Sequence, residues 1–188
     1  MRASIRQLAI LSVLSAFLIG TGMASRAQSL RAVDIEAEEQ QAEALIAQRI
    51  QAERARFAPG ARPLASDPAL ERIAHERSYA MAHGAPFAHE DASGRFVADG
   101  MVRAQFGPYG AVGENIMFER DPSRSFNADA FARRAVRGWM NSEGHRANIL
   151  SAQYDRAGVG VVISGSYAYA TQVFWGTTRP TPGGARRP

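Results

Sequence analysis

The sequence predicts an α+β domain in which helices cover both faces of a small sheet. Three observations carry this. Apolar residues recur at steps of three and four in Leu70–Met81 and again in Ala128–Met140. After Leu150 the period changes: Gly158–Ile163 and Tyr167–Trp175 read as strands, with Gly165-Ser166 suited to the hairpin turn between them. In the last strand Tyr167, Tyr169, Thr171, Val173 and Trp175 face one way, and Ala168, Ala170, Gln172 and Phe174 the other. Both faces are largely apolar, so each needs a helical cover.

The chain opens on a secretory signal pattern, residues 1–27. Arg2 and Arg6 form a charged start, Leu8–Ile19 is apolar but for two serines, and small residues follow. Cleavage fits after Ala27, with Ser25 at −3, or after Ala24. The apolar run is shorter than the roughly 20 residues of a spanning helix. The exported protein is expected to be secreted or periplasmic, with no integral span after removal of the signal. It has no cysteine, so packing must hold it together without disulfides.

Residues 28–41 read as a polar linker (28–34) leading into a helical extension, and the folded domain as 42–176. Strong helix formers run from Asp34 to about Phe57, with a narrow stripe through Ala42, Leu45, Ile46 and Ile50. Ala58-Pro59-Gly60 ends that helix. Ser66 or Asp67 caps the next one, with Pro68 at its first position. Its stripe is Leu70, Ile73, Ala74, Arg77 and Met81; His75 falls off the stripe and His83 at the frayed end, and both read as solvated. A loop from Ala85 to Gly100 contains His89. A brief helix over 97–106 and a strand over 112–118 follow, and Asp121-Pro122-Ser123 breaks the strand. Ser125 or Asn127 caps the best helical stripe of the chain, which ends in Trp139-Met140. Arg133, Arg134 and Arg137 on its other side read as a solvated face. The chain then turns at Gly144 and presents His145. Residues 177–188, rich in Pro, Gly and Arg, read as a disordered tail.

Charge excludes one class of partner. The formal +4 falls to +1 without the three arginines of residues 1–27, and to about −2 without those of the tail. No basic footprint for nucleic acid survives.

One constellation has the chemistry of a site: His89, Glu114 and His145. Imidazole nitrogen and carboxylate oxygen are natural zinc ligands. Their spacing carries no local metal motif, and two bland roles stay open: Glu114 accepting backbone N–H groups, and His145 capping a helix end. Met101, Met117 and Met140 read as core. No serine stands in a nucleophile elbow.

Taken in order, several pieces resemble the CAP superfamily, also called the SCP or pathogenesis-related-1-like family, in its bacterial form. They are Arg54 with Pro63-Leu64, the helix Leu70–Met81, Phe87-Ala88-His89 with Gly94-Arg95-Phe96, Gly113-Glu114-Asn115-Ile116, Trp139-Met140-Asn141-Ser142, Gly144 through Leu150, and Gly158-Val159-Gly160. The resemblance implies a three-layer α-β-α sandwich with a mostly antiparallel central sheet. It implies a cleft lined by His89, Glu114 and His145, with zinc or another divalent cation as the expected cofactor. The acid that eukaryotic members carry after the helix tryptophan falls on Ser142 here, with Glu143 beside it.

Within such a family the domain does not fix one activity. The first reading is a monomeric, secreted binding module whose cleft holds a divalent cation, with a second, apolar groove between helices for a lipid or cell-envelope ligand. The second is a metal-dependent, protease-like hydrolase in the same cleft, with a metal on His89 and His145 and Glu114 as general base. The third is a structural or interaction protein.

Overall fold

The computed structural model describes residues 5–121 and 125–177, and side chains at Ser29 and from Arg31 onward. The signal reading of 1–27 rests on side chains outside that set. The break at Pro122-Ser123 and the tail beyond Thr177 fall on residues outside it. The elements are α1 (Ile5–Phe57), β1 (Ala65–Ser66), α2 (Pro68–Ala82), α3 (Val97–Phe106), β2 (Ala111–Arg120), α4 (Ala128–Asn141), α5 (Glu143–Leu150), β3 (Arg156–Ser164) and β4 (Tyr167–Gly176). The stretch 28–34, expected as a linker, lies inside α1; nothing in its composition breaks a helix. The chain divides into two units, 1–37 and 38–188. The second holds the last turns of α1 and every other element. Among the described residues no helix is long and apolar enough to cross a membrane.

The second unit is an α-β-α sandwich. Its sheet has the order β1-β3-β4-β2, antiparallel except for the short parallel pair β1–β3. On one face α2 and α3 bury Leu70, Ile73, Ala98 and Val102 against Val173 and Trp175. On the other, the end of α1 with α4 and α5 buries Ile46, Ile50, Phe131, Trp139 and Ile149 against Val161, Ala170 and Phe174. The alternation along β4 is therefore the one the sequence carries. Each large apolar side chain buried this way contributes about 1.5–3 kcal/mol.

Local signals place the helices. Asp67 caps α2, its carboxylate accepting from the N–H groups of Ala69 and Leu70, with Pro68 at the first helical position. Asn127 caps α4 through the N–H of Ala130. Gly165 takes φ 62° in the β3–β4 turn, a conformation costly for other residues. Where α2 crosses β3, no side chain fits between them. A Cβ on Gly158 would lie 2.2 Å from the Leu70 carbonyl carbon, and one on Gly160 2.1 Å from the His75 nitrogen.

Both outer edges of the sheet are closed by side chains. Along β2, Tyr154 Oη donates to Val112 O (3.2 Å), Asn148 Nδ2 to Glu114 O (3.1 Å) and Trp139 Nε1 to Ile116 O (3.0 Å). Along β3, past the end of β1, the N–H of Val161 donates to Glu43 Oε1 (2.8 Å) and that of Ile163 to Glu39 Oε1 (2.6 Å).

Candidate functional site at the sheet edge

The two helical layers meet around the β2 edge, and there the structure brings His89, Glu114 and His145 together. They border an open hollow of about 450 Å³, with Phe96, Ser142 and Asn148. Each arrives on a different element. His89 sits in the loop after α2. Glu114 is on β2, its side chain on the α2 face opposite Val173. His145 lies in the first turn of α5.

That last placement corrects the expected turn at Gly144. The helix break falls two residues earlier, at Ser142, whose extended backbone (φ −99°, ψ 124°) closes α4 and opens α5. Gly144 is helical. Ser142 lines the hollow, whereas its neighbour Glu143 is exposed and does not.

Glu114 is the buried centre, and it is not a free carboxylate. Its side chain is fully buried. Arg77, itself 5% exposed, donates from Nε to Oε2 at 2.7 Å and from Nη2 to Oε1 at 3.3 Å. The same Nη2 reaches Ala88 O at 2.7 Å, which pins the loop carrying His89. His89 Nδ1 then meets Glu114 Oε1 at 2.8 Å. An ionised carboxylate only accepts, so Nδ1 carries the proton and donates, and in the neutral ring the lone pair falls on Nε2.

His145 stands against His89, ring centroids 5.7 Å apart at 62°. Its ring makes no hydrogen bond among the described residues. Burial pushes its pKa below the ordinary imidazole value, His89 adds to this, and Glu114 opposes it. Its backbone is held firmly: Asn115 Nδ2 donates to His145 O (3.2 Å), and Asn148 Nδ2 to Asn115 Oδ1 (3.0 Å). The far end of α5 is tied down by Arg54, buried among carbonyls: Nη1 reaches Ile149 O (2.6 Å) and Ser151 O (2.9 Å), and Nη2 reaches Arg62 O (2.5 Å).

Three supporting residues carried no functional reading from sequence. Arg77 stood in an apolar stripe, and a guanidinium at a core position is itself a signal of a buried partner. Asn115 and Asn148 lay in the motif pieces without a role. The other two histidines stay apart, as expected: His83 Nδ1 bonds Tyr79 O (2.8 Å), and His75 is half-exposed. Among the described residues no group of three or more His, Cys, Asp or Glu is arranged to hold a metal ion. The groove between α1 and α4 is mixed: Arg49, Glu53, Arg133, Arg137 and Asn141 line it together with Ala52, Val136 and Met140.

The family model described as "CAP: Cysteine-rich secretory protein family" matches residues 52–175, which include every site residue above. The chain belongs to the CAP family. Among its relatives is the uncharacterized protein YkwD of Bacillus subtilis (strain 168), 34% identical over 108 residues, 57% of this chain and 38% of that protein. The chain thus spans under two fifths of that relative's length. An extracellular SCP-domain protein from Bacillus anthracis is 27% identical over 74% of this chain and 41% of its own, with TM-score 0.58. An outer surface protein of Borrelia burgdorferi shares the fold at 14% identity and TM-score 0.59, over 72% of this chain and 92% of its own. A cysteine-rich secretory protein of Staphylococcus aureus does so at 19% identity and TM-score 0.51, over 73% of this chain and 39% of its own. This CAP domain has none of the cysteines in the family's description; side-chain hydrogen bonds to backbone fasten its edges and its α5 instead.

Proposed function

We propose that this CAP domain is a secreted binding module whose cleft takes a divalent cation through two imidazoles, His89 Nε2 and a His145 ring nitrogen. One observation carries the reading. Glu114 holds His89 from behind, at Nδ1, in the carboxylate–histidine arrangement that orients an imidazole toward a metal. His145, kept below its ordinary pKa, offers a neutral ring at pH 7. Two nitrogens with water completing the shell make an open, exchangeable site. A bound cation would supply a Lewis-acidic centre; the protein's share is to aim one imidazole and keep the other neutral.

The geometry supports binding over hydrolysis. A general base needs an accessible lone pair within reach of a water. Both Glu114 oxygens are engaged, by Arg77 and by His89. Its part is therefore positioning. A secreted location follows from the N-terminal signal pattern and accords with the extracellular relative from Bacillus anthracis.

Zinc titration by calorimetry tests this. Wild type is expected to bind, with His89→Ala and His145→Ala each abolishing the heat. Equal binding by wild type and the double variant would sink the proposal. Glu114→Gln is expected to weaken binding without abolishing it, since the two nitrogens remain; losing the carboxylate that orients a ligating imidazole costs about 10–100-fold in metal affinity.

A further inference from the structure

The cleft has a second carboxylate. Glu90, next in the chain to His89, borders the same hollow as His89, Glu114 and His145. It is exposed, and among the described residues its side chain meets no hydrogen-bond donor and no arginine. The other acids of the cleft and of the chain beside it are engaged: Glu114 by Arg77, Asp91 by Ser93 and Arg95, Asp99 by Arg103.

The backbone of Glu90, by contrast, is fixed. The chain from His89 to Val97 folds back on itself as a tight hairpin. Val97 N–H donates to His89 O (3.0 Å), Glu90 pairs with Phe96 in an antiparallel bridge, and Asp91 N–H donates to Arg95 O (2.9 Å). At the tip Asp91 Oδ1 accepts from Ser93 N–H (2.8 Å), and Gly94 takes φ 77°. The rings of His89 and Phe96 meet edge-on, centroids 6.3 Å apart. Glu90 is thus a free side chain on a rigid mount, beside an oriented imidazole.

Charge gives that side chain a task. Of the residues around the hollow, only Glu90 and Glu114 are acids, and none is an arginine. The Glu114 charge is answered by Arg77 in a buried pair at 2.7 Å. Imidazoles bind metal in their neutral form. A divalent cation held by His89 and His145 alone would therefore bring two positive charges against a wall whose one unanswered negative charge is Glu90. A charge drawn partly out of water is costly unless it is paired. Carboxylate oxygen is a natural zinc ligand, and two imidazoles with one carboxylate and an open position form a recurrent zinc set.

We infer that Glu90 is the third ligand of the cation in this cleft, taking the place of one water while Glu114 stays behind His89. The inference rests on the two-imidazole reading of the cleft. As the side chains lie, no three His, Cys, Asp or Glu among the described residues are arranged around a metal. Glu90, exposed and unbonded, is free to turn toward the two imidazoles when a cation arrives.

Zinc calorimetry on the full chain tests this, with cobalt as a spectroscopic stand-in. Glu90→Gln is expected to keep the melting temperature of the metal-free protein. It is expected to weaken zinc binding by more than the roughly tenfold that an outer partner of a ligand is worth. The visible absorption of bound Co2+ is expected to change in position and intensity, because one ligand is exchanged. Glu143→Gln removes an acid that lies outside the hollow, and is expected to change neither readout. A loss of affinity that disappears near 1 M salt, where the Debye length is about 3 Å, would reduce Glu90 to a distant charge and overturn the ligation. So would an unaltered cobalt spectrum, or equal zinc affinity in wild type and Glu90→Gln. A wild type that takes up no zinc would instead overturn the two-imidazole reading, and the third ligand with it.

Discussion

The two outer edges of this sheet are closed by opposite chemistry. On β2, neutral donors cap carbonyls: a phenol, an amide and an indole, reaching Val112, Glu114 and Ile116. On β3, carboxylates cap N–H groups: Glu43 at Val161 and Glu39 at Ile163. Either device stops another strand from adding. They differ in what else they do. The neutral caps come from α4, α5 and the segment after it, so the bonds that close β2 also fix His145 beside His89. The charged caps come from α1, and one of them, Glu43, also borders a hollow between α1 and the start of α2. One edge is built for placement, the other for charge.

That contrast can be broken at several points. The largest effect is expected from Trp139→Leu on the β2 side. It removes a buried ring and orphans Ile116 O, and should lower unfolding free energy by about 3–5 kcal/mol in urea melts. A loss under about 1 kcal/mol would show that the indole cap does little. Arg77→Met should cost a similar amount, about 3–5 kcal/mol, because it strands the Glu114 carboxylate in a buried place. The paired change Arg77→Met with Glu114→Leu should recover most of that stability but not zinc binding, since His89 then loses its orienting partner.

Asn148→Leu comes next, at about 2–3 kcal/mol for its bonds to Glu114 O and Asn115 Oδ1. Because it frees the start of α5, the His145 imidazole resonances should shift in NMR spectra. Unmoved resonances would separate edge closure from site placement and break the comparison.

The smallest effects concern pH. Glu43 has its folded pKa raised, so the folded state binds the proton more readily than the unfolded chain. Its stabilising term is present at low pH and lost as pH rises through the raised value. Glu43→Gln should therefore be neutral to slightly stabilising at pH 7, and should flatten the melting profile just above the ordinary carboxylate range. His145 works the other way: with its folded pKa depressed, stability should decline as pH falls below about 6.5. His145→Gln should remove that decline; an unchanged profile would place its source elsewhere.

Much of the architecture was legible because it is written locally. The α3 bounds, 97–106, follow from flanking turn signals, and Asp67 and Asn127 cap as their residue types suggest. The β4 alternation separates two cores correctly. What escaped is long-range. No spacing reveals that Arg77 answers Glu114 across 37 residues, or that a two-residue strand at 65–66 pairs with 156–157. The break at Ser142 escaped for a different reason: Gly144 carries the stronger local turn signal, and packing of α5 overrode it. The meeting of His89, Glu114 and His145 came from the resemblance, whereas the engagement of Glu114 by Arg77 required coordinates.

The bare crossing of α2 over Gly158 and Gly160 bears on the cleft from a distance. With no methyl group as a spacer, the helix rests on the strand backbone at a depth it cannot vary. Arg77 rides on that helix, and the Ala88 carbonyl and Glu114 carboxylate are met only at that depth. An alanine at Gly160 would therefore behave like a lesion in the cleft, although it touches no group there: it would jack up the lever whose other end aims an imidazole.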